Sequence, residues 1–432
     1  MPPLHLSLFP ARLPPRPSAR RLRALTLGML LLTLLAAGQA VAHAEPPNYD
    51  IHYHARLDPE SGEAQVTLRL EQSRHALREA RFNIDEHRHH GFEGDGELVE
   101  SDGVVYWRPP AEGGEFRLRL TIDRQRGTGG YDARITPEWA LLRADHLFPA
   151  ARTRTLAGAS ARATLSFELP AGWSLESRYG AWRGEALVVE DPERRFVRPT
   201  GWLLAGDLGV RRDRVVGREL VVAAPVGEGV RRMDALALLR WTLPALLEIF
   251  PDFPERLLVV SASDPMWRGG LSGPESLYLH ADRPLINERG TSTLLHELVH
   301  VAGIIQPGPG AGWIVEGLAD YFSLAVLHRA GVIGDRRHRL SLETLAARAE
   351  GVRRLDTRNA GGAVTARAVI ELARIDAAIR EASEGQYALD DVARQLAEAR
   401  EPITYTRLRT LSESFAGQPL PVFDELPLSR RR

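Results

Sequence analysis

Leu294-Leu295-His296-Glu297-Leu298-Val299-His300 is an apolar, helix-forming run broken only by two imidazoles and a carboxylate. On a helix, residues four apart stand one turn above each other, so His296 and His300 present their rings to the same point. Two neutral imidazoles so placed are half of a tetrahedral zinc site, and Glu297 sits at its edge, where it can hold a water beside the metal. Leu294, Leu295, Leu298, Val299 and Val301 seat the helix in a core and keep the ligands rigid. The bland alternative is a buried amphipathic helix with two incidental histidines.

The next segment favours the metal site. A flexible connector, Gln306-Pro307-Gly308-Pro309-Gly310-Ala311-Gly312, leads into Trp313-Ile314-Val315-Glu316-Gly317-Leu318-Ala319-Asp320-Tyr321-Phe322, a second helical run with a carboxylate read as lying on its first turn. A Pro/Gly turn between two such helices favours an antiparallel pair, which lets Glu316 fold back as third metal ligand. Asp320, one turn further, is placed to orient a ligand imidazole through its second nitrogen. Against this, Glu316 could be a first-turn acid favoured by the helix dipole, and Asp320 an ordinary surface charge.

H-E-L-V-H followed by W-I-V-E-G-L-A-D-Y-F resembles the gluzincin metallopeptidases, in particular their aminopeptidase N and glycyl aminopeptidase branch. The resemblance implies His296, His300 and Glu316 as the ligands of one Zn2+ per chain and Glu297 as catalytic base. It covers mainly residues 256–330. The stretch from the second histidine to the third ligand is slightly shorter than in aminopeptidase N, in the Pro/Gly connector where shortening is cheap. The implied fold is α+β and multidomain: an N-terminal antiparallel β domain, then a thermolysin-like, mostly helical zinc-peptidase domain with a small mixed sheet.

Upstream, Leu220–Pro225 reads as a buried strand, Val230–Phe250 as a helix containing Pro244, and Leu257–Ser263 as a second buried strand. A Gly-rich loop, Gly269-Gly270-Leu271-Ser272-Gly273, precedes Ser276–His280, read as the edge strand on which an extended peptide would lie. Gly269, Gly270 and Ser272 are therefore the substrate-binding candidates; a merely tight connection is the plain alternative. Ser272 stands where the resembled aminopeptidases carry a glutamate that grips a free amine, so strict aminopeptidase specificity is not implied. Nor does the Asp356–Gly362 region hold the tyrosine by which the family stabilises an oxyanion. Tyr387, Tyr321 and Arg358 are the candidate substitutes.

The rest of the chain sets the frame. Its 432 residues leave room for two or three domains, and 44% hydrophobic with 26% charged residues is ordinary globular composition. There is no cysteine, hence no disulfide framework and no thiolate ligand, and a net charge of −1 gives no reason to expect a nucleic-acid partner. Residues 1–44 read as a signal peptide, with Arg12, Arg16, Arg20, Arg21 and Arg23 before the apolar run Ala24–Ala37 and small residues up to Ala44. The chain is expected to be exported, periplasmic or secreted, without an integral membrane domain once cleaved; an uncleaved inner-membrane anchor is the alternative. Residues 45–213 alternate with period two, as in Ile51, Tyr53, Ala55 and Leu57, and are expected to form an antiparallel sandwich or saddle. His52, His54, His87, His89 and His90 are read there as exposed strand and loop residues, not a second metal site. Residues 214–400 form the expected zinc domain, with helices at Leu340–Leu355, Ala363–Ala382 and Leu389–Ala399. Residues 401–432 are expected to be a C-terminal tail, rich in Pro and polar residues from Glu413 and frayed and solvated at its end, Ser429–Arg432. The expected activity is hydrolysis of peptide bonds in a peptide or protein substrate by metal-activated water. A catalytically weak binding or scaffold relative, and a zinc hydrolase of non-peptide bonds, are the rivals.

Overall fold

The computed structural model describes residues 48–127, 129–191 and 194–429. The signal segment expected at 1–44 lies outside the described residues. Sheets dominate up to Gly206. One has the order Leu187–Val189, Ala161–Glu168, Tyr49–Asp58, Glu63–Glu71, Gly113–Thr121, His89–Gly94. Tyr49, Ile51, Tyr53, Ala55 and Leu57 all point inward, as the period of two requires. The sheet is not purely antiparallel, however: Tyr49–Asp58 runs parallel to Ala161–Glu168, with Ile51 opposite Ala163. Parallel neighbours need a long crossover, and the many residues between these two strands provide one. A four-stranded sheet packs against this one, with Phe82 stacked on Phe116 at 4.7 Å between centroids.

A third sheet joins the two halves of the chain. Its strands Trp139–Arg143 and Trp202–Gly206 are apolar on both faces and buried along nearly their whole length. Ala140, Leu142, Leu203 and Ala205 face the N-terminal core. Trp139, Leu141, Trp202 and Leu204 face the other way and pack with Val221, Ala223, Leu258, Val260 and Tyr278 of the following sheet. That five-stranded mixed sheet has the order Leu208–Val215, Arg218–Pro225, Arg256–Ala262, Ser276–His280, Gly270–Gly273. The boundary expected after residue 213 falls inside its first strand.

Two expectations are corrected here. Ser276–His280 is an interior strand, parallel to Arg256–Ala262 on one side and buried at every position. The edge is Gly270–Gly273, paired antiparallel to it through a hairpin in which Glu275 takes a left-handed φ of 49°. Nor are residues 401–429 a loose tail; the end expected to be solvated, Ser429–Arg432, lies almost wholly outside the described residues. Residues Tyr405–Ala416 form a helix, and Leu408, Leu420, Val422, Phe423 and Leu426 join the main core, because apolar residues spaced around Pro421 still find one face to bury.

Seven helices are used below: α1 (Arg232–Ile249, running through Pro244), α2 (Thr293–Gly303), α3 (Gly312–Arg329), α4 (Asp335–Arg348), α5 (Ala363–Ala382), α6 (Leu389–Ala399) and α7 (Tyr405–Ala416). The expected Leu340–Leu355 helix is displaced toward the N-terminus and ends at Arg348. Ser292 caps α2 by accepting from Leu295 N at 3.2 Å, and Ile304 closes it in the left-handed conformation. Leu294, Leu295, Leu298 and Val299 of α2 and Trp313, Ile314 and Leu318 of α3 lie in one core, so the two helices are fixed side by side.

Candidate metal centre

His296 and His300 stand on the face of α2 turned toward α3. Their Nε2 atoms lie 3.1 Å apart. Glu316 brings Oε2 to 3.4 Å from His296 Nε2 and Oε1 to 3.7 Å from His300 Nε2. Tetrahedral donors about 2.0–2.1 Å from one zinc ion are about 3.3–3.4 Å from each other. The three donors therefore form a triangle of the size one such ion spans, and they are the one grouping of metal-ligating side chains found among the described residues. Because α3 begins at Gly312, Glu316 is past its first turn and is not a dipole-favoured terminal acid.

Asp320 Oδ1 lies 2.7 Å from His296 Nδ1. A carboxylate accepts only, so His296 donates from Nδ1 and turns Nε2 toward the nitrogen of His300. Two ring nitrogens that close require a proton or a cation between them. In the metal-free chain the proton is on His296: burial opposes its charge, but hydrogen bonds to Asp320 and Glu316 prevail and hold its pKa at about 10. Burial and the charge on His296 bring His300 down to about 4, while the bond from His296 keeps Glu316 below the usual carboxylate range. One positive charge is thus shared by three donors. A divalent cation satisfies the same atoms with both imidazoles neutral, so the residues fit zinc.

Glu297 is 8% exposed and lies against the edge strand. Burial pushes its carboxyl up, while the charge on His296 and hydrogen bonds from the hydroxyl and the backbone N–H of Ser272 oppose this. Gly270 is there for room: a Cβ at this position would stand 2.7 Å from Glu297 Cγ and 2.8 Å from Thr293 Cγ2. Gly269 is similarly closed in by the Trp267 ring, and its carbonyl accepts from His280 N at 3.0 Å. Gly317, next to Glu316, lets α5 approach, since a Cβ there would meet that of Ala368 at 2.7 Å.

The oxyanion candidates fare differently. Tyr321 is turned to Asp376 of α5, and burial followed by that carboxylate holds its hydroxyl firmly protonated. Tyr387 packs on Phe415 of α7 at 5.1 Å and is 40% exposed. Neither hydroxyl is hydrogen-bonded to His296, His300 or Glu316. Arg358 is exposed in the loop between α4 and α5, whose Ala360 lies against Gly312 at the start of α3. Of the N-terminal histidines, His89 is buried and binds Asp85 N and the carbonyl of His146, which corrects its exposed reading; no second cluster forms among the described residues. Two residues that the sequence did not single out hold the edge strand from behind: Arg143 donates to Ser272 O at 3.2 Å, and Trp202 Nε1 to Leu271 O at 3.0 Å. Nothing in the sequence near either residue announces these distant bonds.

A sheet-rich N-terminal region followed by a helical region is consistent with an aminopeptidase-like multidomain fold. In three dimensions the chain is similar to an aminopeptidase N family protein from Idiomarina loihiensis, with a TM-score of 0.62 and 15% identity over 81% of this chain and 70% of that one. It is also similar to native leukotriene A4 hydrolase from Saccharomyces cerevisiae, with a TM-score of 0.52 and 12% identity over 91% of this chain and 70% of that one. At such identities the likeness is one of fold. No family model matches the sequence, and no curated protein gives a significant match.

Proposed function

We propose that the chain is an exported zinc-dependent peptidase. The observation that carries this reading is the donor triangle of His296, His300 and Glu316, with Glu297 beside it against an open sheet edge. These three side chains would hold one zinc ion, which when bound supplies a Lewis acid that polarises a carbonyl and lowers the pKa of water toward about 7. Glu297 takes the proton of the attacking water and returns it to the departing amine. Asp320 fixes the tautomer and the angle of His296. An extended peptide or protein substrate would lie along the edge Gly270–Gly273 and pair with it at Gly270, since the N–H and carbonyl of Ser272 are held by Glu297 and Arg143, and its carbonyl then lies beside Glu297. No nucleic-acid partner is expected. Among the described residues no helix is long and apolar enough to cross a membrane, and export to the periplasm or the medium rests on residues 1–44.

The test is the metal content of the purified chain beside H296A, E316A and E297Q. We expect one zinc per chain, lost in the first two variants and kept in the third, with peptide hydrolysis lost in all three. A folded chain that refuses added zinc overturns the reading. A binding or scaffold role is favoured by one observation, that the hydroxyl of Tyr321 is turned away to Asp376. Such a role survives E297Q, and hydrolysis does not.

A further inference from the structure

A cavity of about 500 Å³ opens beside the edge strand, lined by Arg124, Arg126, Asp132, Arg143, Trp202 and Leu271 among others. None of these takes part in the chemistry above. The cavity is built, not incidental. The hairpin that carries Arg124 and Arg126 is tied to the loop leading into the edge strand: Trp267 N donates to Tyr131 O at 2.8 Å and Tyr131 N to Pro265 O at 3.0 Å. Arg126 lies over the Trp267 ring at 4.3 Å. Arg143 and Trp202, on the opposite wall, bind the carbonyls of Ser272 and Leu271. The cavity therefore shares a wall with the strand that touches Glu297.

Its charge is uneven. Arg143 is matched by Asp145 at 2.8 Å. Arg124 and Arg126 instead share one carboxylate oxygen, Asp132 Oδ2, each at 3.5 Å, which is long for an ion pair. Asp132 is only 9% exposed, whereas the two guanidinium side chains are 45% and 34% exposed and keep donors free. Two cations over one buried anion, in a recess walled by Trp202 and Leu271, favour an anion that also carries apolar bulk.

Strand geometry connects this recess to the peptide. Gly270 and Ser272 face Glu297, so Leu271 between them faces the other way, toward Trp202 and the cavity. An extended chain laid on this edge obeys the same alternation, presenting successive side chains to the metal side and to the cavity side. Resting on the peptidase reading, we propose that the cavity is the specificity subsite of this enzyme and takes a carboxylate of the peptide, held by Arg124 and Arg126. The carboxylate comes either from an acidic side chain beside the scissile bond or from a free C-terminus.

The experiment uses the full chain carrying E297Q, loaded with zinc, and the fluorescence anisotropy of labelled alanine pentapeptides. Their central residue is glutamate, glutamine or lysine, and their C-terminus is free or amidated. Charge-assisted bonds to two arginines predict that a carboxylate tightens binding by about tenfold or more. Preference for the amidated glutamate peptide identifies a side chain as the source; preference for the free over the amidated glutamine peptide identifies the terminus. In R124Q/R126Q the ratio between acidic and neutral peptides falls to near one, with zinc content unchanged as the check on folding. Equal binding of all six peptides, binding of none, or a preference that survives R124Q/R126Q overturns the subsite. Hydrolysis by the wild-type chain is read separately. Arginine-dependent binding without cleavage of any peptide sinks the peptidase reading alone, and cleavage without charge preference sinks the subsite alone.

Discussion

Gly270→Ala isolates the contact on which the proposed chemistry depends. The backbone there is not in the left-handed region, so the only effect of a methyl group is steric. Its Cβ would stand 2.7 Å from Glu297 Cγ and 2.8 Å from Thr293 Cγ2. Carbon atoms in ordinary contact are about 3.5–4.0 Å apart, so the overlap with each is about 1 Å. Neither neighbour gives easily, because Glu297 is 8% exposed and Thr293 lies on the first turn of a helix seated in the core. Relief comes from moving the carboxylate, the edge strand or both by about that distance. Overpacking of this kind costs about 1–3 kcal/mol of stability. A misplacement of about 1 Å at a reacting group costs on the order of a hundredfold in rate. We expect kcat for any peptide the wild-type chain cleaves to fall by about two orders of magnitude, with a slightly lower Tm. Zinc should stay at one per chain, since the atoms met by the new methyl group belong to none of the three ligands. Wild-type kcat alongside a lowered Tm would refute the assignment of Glu297 as base. Loss of zinc together with activity would refute the separation of base from ligands.

Further expectations follow from other contacts. Asp320→Asn removes the acceptor 2.7 Å from His296 Nδ1, and zinc affinity measured against a competing chelator should fall about 10–100-fold with the fold intact. Gly317→Leu forces α3 away from α5, where even a Cβ would meet Ala368 at 2.7 Å; a loss of about 3 kcal/mol in chemical denaturation, with weakened zinc binding, is expected. Glu371 is fully buried and accepts from Arg367 at 2.7 Å and Arg374 at 2.9 Å, so Glu371→Ala should cost roughly 3 kcal/mol by the same assay, with zinc stoichiometry unchanged. His146, pushed down to about 4 by burial against the opposing charge of Asp145, takes up its proton near 6.5 when unfolded. Its contribution to stability is therefore complete above about 6.5 and is lost as pH falls toward 4. The urea midpoint of the zinc-loaded chain should drop between pH 7 and 5 more steeply in the wild type than in H146Q.

What could be read in advance was what is local. Residues four apart on one helix, and a carboxylate just past a short Pro/Gly connector, meet by chain geometry alone, and the structure brings His296, His300, Glu316 and Asp320 together. Period two likewise marked Tyr49–Asp58. The edge strand was misassigned because burial on both sides of Ser276–His280 depends on a hairpin folding back through Glu275, and an apolar run of that length reads the same at an edge or inside. Residues 401–429 looked like a tail because their apolar residues are sparse and interrupted by prolines, yet they find a face of α5 and α6 to cover. Arg143 and Trp202 bind the edge strand across 129 and 69 residues, a separation at which no sequence period operates.

Those long-range bonds change what the N-terminal region is for. A wall beside a cleft needs only to exclude water, but the third sheet does more. It covers the face of the five-stranded sheet opposite the metal helix, with Trp139, Leu141, Trp202 and Leu204 filling the space over Val221, Val260 and Tyr278. It also fixes the carbonyls of Leu271 and Ser272 on a strand of four residues that has one hydrogen-bonded neighbour. A two-sided anchor of that kind is what keeps a short, glycine-rich edge from fraying. Ser272 is bound through its carbonyl to the N-terminal region and through its N–H and hydroxyl to Glu297. A single residue thus transmits the position of the β region to the carboxylate that would move the proton. The metal ligands receive no such support from that side. Their spacing is set by α2 against α3, and that of α3 by the glycine that lets α5 close in. His296, Glu297 and His300 ride on the same helix α2, so what the β region adds is a hold on the Glu297 side chain alone, and a perturbation of the edge strand should move the carboxylate more than the ligands.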